Sequence, residues 1–300
     1  MKYLGVYSKD EDLYKKVREL TDSDYNEYTK TVKRIYDINE VLSLLSGVRG
    51  NYVAYMELMK HYTAVSMSSE QIDGVTTDQM LGNVNLHIMN YLSSVKTFLQ
   101  HSEFNLKKKY GKNSQRFKSF KNATNHAFDT CFSYRFLYHL RNYVQHCGMP
   151  VAGFDEPKII HNDKINKRFT FFLVAYCDRD ELLRKYDKWH ETLLKEIPKL
   201  PDRIDISPHI YHMMICINHI SRIIIKNDLP ELLDRTRFLI KLMNPVIRDT
   251  SPLENLNYPL NIDIPFICES DDLHEGIIFN VEWFPIHLIQ TILYVNKNFR

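Results

Sequence analysis

The sequence has little glycine, little net charge and no long apolar run. Its 300 residues include nine glycines against 19 tyrosines and 16 phenylalanines, which favours helices over turn-rich sheets. The formal net charge is only +2, so any surface for nucleic acid has to be local. No segment approaches the ~18 uninterrupted apolar residues that a membrane span needs, and the amino-terminal residues are too charged for a signal peptide. We therefore expect a soluble cytoplasmic protein that makes no contact with a membrane.

The cysteines indicate neither a disulfide framework nor a metal site. All five are scattered without a CxxC pair: Cys131, Cys147, Cys177, Cys216 and Cys268. An odd, widely spaced set is typical of reduced thiols in the cytosol. His212, Cys216 and His219 have a spacing that metal ligands use, but their helix is apolar and no second ligand cluster accompanies it. The chain also lacks the GxGxxG, GxxxxGKS/T, GxSxG and HExxH motifs, and we expect no metal and no cofactor.

Hydrophobic spacing predicts a mainly α protein of three segments. Residues 1–75 form an N-terminal helical region, which begins with a short strand at YLGVY and contains a helix pair broken at Gly47 or Gly50. Residues 76–155 form the core of an antiparallel helical bundle. Residues 156–300 hold a hairpin and a mixed helical part whose role the sequence leaves unknown.

The last segment begins with the predicted hairpin, PKIIHNDKINKRFTFFLVAYC, in which Asn162, Asp163 and Lys164 form the turn. Three helices are predicted between residues 178 and 243. Two short strand-like runs, IDIPFICE and EGIIFNVEWF, precede a final apolar helix, IHLIQTILYVN.

The most informative stretch is FDTCFSYRFLYHLRNYVQHCGMP, residues 128–150, which reads as one helix closed by Gly148 and Pro150. Its apolar stripe is ordinary: Phe132, Phe136, Leu140, Tyr143 and Cys147. Beside that stripe runs a polar line at i, i+4, i+7 and i+11: Arg135, His139, Asn142 and His146. Since Asp129 is the only carboxylate in the stretch, the polar line is suited to meet an anion.

Two residues of this helix have the chemistry of a phosphate-cleaving site. His146 lies in the last turn, where unpaired carbonyls favour a cation, and an imidazole suits general acid–base catalysis. Arg141 carries a permanent, bidentate charge that suits a phosphate in a transition state. The alternative is structural: His146 caps the helix and Arg141 pairs with a distant carboxylate.

The string RNYVQH resembles the R-polar-x-x-x-H motif of the HEPN superfamily, a group of helical bundles that includes many toxin and antiviral ribonucleases. The context agrees, because the motif ends an amphipathic helix and an upstream amphipathic helix contains MNYLSSVKTFLQH. In that upstream helix Asn90 is expected to face the motif. The resemblance covers roughly residues 76–155.

The resemblance implies a HEPN-like bundle that forms a homodimer and cuts RNA without a metal, by attack of the ribose 2′-hydroxyl on its own phosphate. His146 is then the general acid or base, Arg141 binds the scissile phosphate, and Asn142 orients the histidine or the substrate. Asn90 is a weaker candidate, and from geometry alone we expect Arg135 and His139 to guide the RNA backbone. Bacterial relatives of this kind sit in toxin–antitoxin or phage-defence systems, which suggests an antitoxin or regulatory partner by analogy.

A basic segment leads into the motif helix. No acidic residue stands between Glu103 and Asp129. Aromatic residues interleave with seven cations that are expected to bind RNA: Lys107, Lys108, Lys109, Lys112, Arg116, Lys118 and Lys121. The alternative is a solvated loop.

Arg141 and His146 lie ~140° apart on a straight helix, so they converge only through long side chains, a distorted last turn or a partner subunit. Two rival hypotheses stay open. The chain is a non-catalytic HEPN-like module that binds RNA, a nucleotide or a protein, or it is a helical structural protein in which the motif is accidental.

Overall fold

The computed structural model describes residues 1–8, 11–68, 73–163, 168–244, 246, 264–270 and 278–298. The described chain is mainly helical with two small antiparallel sheets, which confirms the predicted class. The helices are α1 Asp22–Ser66, α2 Gly74–Tyr110, α3 Gln115–Thr130, α4 Phe132–His146, α5 Arg179–Lys185, α6 Glu191–Glu196, α7 Ser207–Met243 and α8 Ile286–Asn298. The strands are β1 Lys2–Ser8, β2 Leu13–Glu19, β3 Gly153–Asp163, β4 Arg168–Asp178, β5 Arg203–Asp205, β6 Ile264–Ser270 and β7 Ile278–Trp283. Among these described helices none combines the length and apolar character needed to cross a bilayer.

The chain forms two compact units that differ from the three predicted segments. One unit comprises Met1–Glu40 and Ile225–Arg300, and the other comprises Val41–Ile224. The boundaries fall inside α1 and α7, each of which contributes to both units. The terminal unit exists because β1 pairs with β6, a contact between opposite ends of the sequence that local periodicity does not reveal.

The terminal unit contains a sheet with the strand order β2-β1-β6-β7, antiparallel throughout. Leu4 and Ile267 face each other across β1 and β6 and are buried. A buried ion pair joins Arg34 of α1 to Asp228 of α7, with 3.0 Å between Nη2 and Oδ1. Glu231, one turn further along α7, also accepts from Arg34, so the charged pair lies in a hydrogen-bonded network that offsets its burial.

The central unit packs α2 against α3 and α4, and it holds the sheet β3-β4-β5. The predicted hairpin is confirmed, because β3 and β4 pair antiparallel from Gly153 with Tyr176 to Asp163 with Arg168. Of the predicted turn, Asn162 and Asp163 end β3, and Lys164 lies outside the described residues. Apolar residues of β4, including Leu173 and Ala175, are buried in this unit.

Two predicted helix breaks were wrong. Gly47 and Gly50 do not break a helix pair, because both lie inside the 45-residue helix α1. Each interior glycine costs ~1 kcal/mol relative to alanine, but buried neighbours such as Val48 and Tyr55 hold the helix by packing. Similarly, α7 continues through Pro230, so two of the predicted helices are one.

The stretch 128–150 and the basic segment also differ from expectation. Cys131 has extended backbone angles, φ −111° and ψ 105°, and it separates α3 from α4. The basic segment is not a loop: it consists of the last turn of α2, a short turn, and α3. Asp73 and Ser114 cap α2 and α3 by accepting hydrogen bonds from the backbone N–H groups of Thr76 and Phe117.

Candidate functional site

The apolar stripe of α4 fixes the motif helix in the central unit. Phe136, Leu140 and Tyr143 are almost fully buried. Trp189 lies against this stripe, with its ring nearly parallel to Phe136 at 6.0 Å between centroids and to Tyr143 at 6.3 Å. This packing determines which sides of α4 are left for polar residues.

The end of α4 is held by a buried amide from α2. The helix closes when the N–H of Cys147 donates to the carbonyl of Tyr143 at 2.7 Å, and Gly148 follows with φ of +138°. Asn85, 4% exposed, donates to the Val151 carbonyl at 3.1 Å and accepts from the Val151 N–H at 3.0 Å. The sequence analysis missed this positioning residue, although a polar residue in an apolar helical row was its signal.

The three motif residues, Arg141, Asn142 and His146, differ in burial and in hydrogen bonding. Arg141 is half-buried, its Nη1 donates to the side-chain oxygen of Gln145, and its Nε is enclosed without a hydrogen-bond partner. Asn142 is half-buried and His146 is exposed. Within the described ranges the side chains of Asn142 and His146 make no hydrogen bond or ion pair, so both can meet a ligand.

The side chain of Arg135 is buried and ion-paired, so a ligand cannot reach it. The residue is 5% exposed, and its guanidinium donates to both carboxylate oxygens of Glu196, at 3.1 and 2.6 Å, and to the Phe128 carbonyl. The expectation that Arg135 guides an RNA backbone therefore conflicts with its placement. Periodicity put Arg135 on the polar line but contained no information about the carboxylate of α6 that covers it.

The ring of His139 also packs against neighbouring side chains. Its half-buried ring lies 5.8 Å from the rings of Tyr138 and His190 and 6.1 Å from that of Phe128. Burial, together with the nearby positive charges of His190 and Lys96, holds the pKa of His139 below its ordinary value. A neutral imidazole with an enclosed, unpartnered Nδ1 is poorly suited to attract a phosphate. Of the polar line, only Asn142 and His146 remain open.

Asn90 lies on the exposed side of α2, and its carbonyl accepts a hydrogen bond from Asn51 of α1 at 3.5 Å. Its side chain is therefore not part of the buried α2 row that includes Ile88 and Leu92. This hydrogen bond links Asn90 to α1, and among the described residues its side chain makes no hydrogen bond to the motif of α4.

The basic residues are mostly at the surface of α2 and α3. Arg116 packs its guanidinium 4.4 Å from the Tyr110 ring centroid, and Lys121 pairs with Glu103 at 3.1 Å. The exposed members of the set are Lys107, Lys108, Lys109, Lys112 and Lys118. They form a cationic surface on α2, α3 and the turn between them. Helices hold these side chains in more defined positions than the expected loop would.

A cleft of about 230 Å³ opens between α2, α3 and α4. Its walls combine aromatic rings, amides and three charged groups: Lys96, Leu99, Gln100, Glu103, Phe120, Lys121, Thr124, Asn125, Phe128, Tyr134 and Tyr138. Lys96 donates to the Tyr138 hydroxyl at 2.6 Å and lies 4.1 Å from that ring's centroid. Tyr138, Arg141 and Gln145 follow one another on one side of α4, so the cleft lies along the Arg141 side of the helix.

Lys96 and Tyr138 could not be identified from the sequence because neither belongs to a motif. Lys96 stands in an apolar helical row, and Tyr138 reads as an ordinary aromatic. Within the described ranges no three His, Cys, Asp or Glu side chains are grouped so as to hold a metal ion. His212 and His219 are exposed on α7, and Cys216 lies beside the thiol of Cys131.

Comparisons of the chain with protein-family models, with curated proteins and with solved structures find no match. The resemblance to the HEPN superfamily therefore rests on the residues of α2 and α4 alone.

Proposed function

We propose that the protein is a metal-independent endoribonuclease of HEPN type, in which two copies of the motif meet in a homodimer. The observation that carries the proposal is the contrast within α4. Upstream, Arg135 is buried and ion-paired and His139 packs against neighbouring rings, whereas Asn142 and His146 at the C-terminal end make no side-chain hydrogen bond or ion pair among the described residues. Since Arg141 and His146 lie ~140° apart on one helix, the second copy of the motif would bring an imidazole and a guanidinium to the same phosphodiester.

The reaction needs one proton removed and one supplied. His146 takes the proton of the ribose 2′-hydroxyl, and the 2′-oxygen bonds to phosphorus while the bond to the 5′-oxygen breaks. The partner's His146 gives a proton to the departing 5′-oxygen, which leaves a 2′,3′-cyclic phosphate and a 5′-hydroxyl. Arg141 stabilises the charge on the phosphoryl oxygens, which requires its guanidinium to leave Gln145.

RNA would reach this site along the cationic surface of α2 and α3. The exposed lysines at the end of α2 attract phosphates, and single-stranded bases stack on aromatic side chains. In the cleft, Lys96 and Lys121 provide cations beside Phe128 and Tyr138. A toxin or phage-defence role, with an antitoxin as partner, rests on analogy with the family.

The test is RNA cleavage by His146→Ala and Arg141→Ala in the presence of EDTA. General acid–base catalysis contributes ~100- to 10,000-fold, so His146→Ala is expected to lower the rate by at least about 100-fold. His126→Ala removes an exposed histidine from α3 and is the matched control, expected to cleave as wild type does. Sedimentation should show a dimer for every variant; a monomeric wild type, or equal cleavage by wild type and His146→Ala, would contradict the proposal.

The second candidate is a non-catalytic RNA-binding module, and the cleft with its two lysines favours it. This function predicts that wild type binds single-stranded RNA and releases it intact. Replacing Lys107, Lys108 and Lys109 by glutamine would then weaken binding and reduce its salt dependence, while His146→Ala would leave both unchanged.

A further inference from the structure

The terminal unit has an aromatic cluster on one face of its four-stranded sheet. Along β1, Leu4 and Val6 point into the core, so Tyr3, Gly5 and Tyr7 lie on the opposite face. The register continues this face across the sheet: Tyr14 of β2 pairs with Tyr7, Phe266 of β6 with Gly5, and Trp283 of β7 with Phe266.

Two of these rings, Tyr14 and Trp283, are exposed and lie beside the buried ring of Phe266. A Cβ atom on Gly5 would lie 2.4 Å from the Phe266 ring, so the absent side chain lets that ring lie directly on β1. Tyr14 and Trp283 meet the edge or tilted face of Phe266, with centroids at 5.5 and 5.6 Å. Phe266 is fully buried, yet Tyr14 is 48% exposed and Trp283 is 44% exposed.

The exposed area of Tyr14 and Trp283 indicates which kind of ligand fits them. An aromatic side chain offers ~150–250 Å², so two rings exposed by nearly half present on the order of 200 Å². A stable protein interface buries ~800 Å² on each partner, several times more. Two flat exposed rings suit flat ligands that stack, as unpaired bases do on aromatic side chains.

One cation of β2 lies on the same face as the rings and suits a phosphate group. Of the cations on the edge strand β2, Lys16 registers with Gly5 and lies on the aromatic face, whereas Lys15 and Arg18 register with Val6 and Leu4 and lie on the other face. The Lys16 ammonium lies 4.9 Å from the Tyr3 ring centroid, on the aromatic face. The same ammonium also donates to the Ser270 hydroxyl at 3.0 Å.

From these observations we infer that Tyr14 and Trp283, with Lys16 on the same face of the sheet, form a second binding surface, for unpaired bases of single-stranded RNA. The surface lies in the terminal unit, so it does not depend on the motif of α4. It gives the strands β1, β2, β6 and β7 a role in holding RNA rather than in cutting it.

The chain provides its own probe, because it has two tryptophans and only Trp283 is exposed; Trp189 is 4% exposed. A Trp189→Phe/His146→Ala variant leaves Trp283 as the only tryptophan, which can be excited selectively over the tyrosines, and keeps the RNA intact. Titration with a single-stranded oligoribonucleotide is expected to quench the Trp283 emission, while the same sequence in a duplex quenches far less. Adding Tyr14→Ala should weaken binding about 5- to 150-fold, equivalent to ~1–3 kcal/mol per stacked base.

Leu13→Ala is the matched control, since Leu13 is 53% exposed on the same strand but points to the other face. It should bind RNA as the parent does, and far-UV circular dichroism should show that both variants are folded. An absence of quenching, equal losses for Tyr14→Ala and Leu13→Ala, or equal binding of duplex would overturn the inference. So would a blue shift of Trp283 with protein concentration alone, which indicates self-association. Cleavage by the wild-type protein tests the proposed nuclease separately, because quenching is measured without the catalytic histidine.

Discussion

Removing the carboxylate of Glu196 is expected to destabilise the protein more than removing the guanidinium of Arg135. The Arg135 side chain is 6% exposed and that of Glu196 is 31% exposed, so the two charges differ in their access to water. After Glu196→Ala, a buried guanidinium keeps only the Phe128 carbonyl. After Arg135→Met, an apolar side chain fills the site and Glu196 turns toward solvent.

The expected magnitudes follow from that asymmetry. An unpaired buried charge costs ~3–5 kcal/mol, and the partial exposure of Glu196 puts the Glu196→Ala cost near the lower limit, about 3 kcal/mol. For Arg135→Met the main loss is the hydrogen bond to the Phe128 carbonyl, about 1 kcal/mol. The Arg135→Met/Glu196→Ala double variant should be more stable than Glu196→Ala alone, because Arg135→Met removes the buried charge that has lost its partner.

Urea denaturation in a Trp283→Phe background measures these differences. Trp189 then reports alone, and it packs against Phe136 of the same helix that carries Arg135. If the double variant proves less stable than Glu196→Ala, the guanidinium is not a buried charge that needs its partner. RNA affinity gives a second readout: Arg135→Met should bind RNA as the wild type does, since the native guanidinium is not accessible.

Two further predictions concern polar groups of the central unit, the buried Asn85 and the half-buried His209. Asn85→Ala removes two hydrogen bonds to Val151 and leaves both backbone groups unpaired, so chemical denaturation should show a loss of about 2–3 kcal/mol, whereas exposed Asn90→Ala should change stability little. Burial lowers the pKa of His209 to about 4, so the folded state resists a proton that the unfolded chain binds near pH 6.5. The contribution of His209 to the free energy of unfolding is therefore present above about pH 6.5, and up to ~3 kcal/mol of it is lost as the pH falls toward 4. His209→Gln should make the free energy of unfolding, measured by chemical denaturation, depend less on pH between about 6.5 and 4.

The amino-acid pattern by itself determined the local elements. Helical spacing identified α2, α4 and α8, and alternation with turn residues identified the β3–β4 hairpin, because these depend on residues a few positions apart. The same spacing located the polar line on α4. It could not locate helix breaks, since the glycines of α1 and Pro230 of α7 are tolerated where neighbouring residues pack.

Only the tertiary structure decided which polar residues are available to a ligand. Glu196 follows Arg135 by 61 positions in the sequence, yet it determines that the guanidinium is buried. The aromatic face needs rings from β1, β2, β6 and β7, and β1 meets β6 across more than 250 residues. Periodicity fixes the direction of a side chain relative to its own helix or strand; what covers that side chain depends on distant segments, and long-range packing supplies that information.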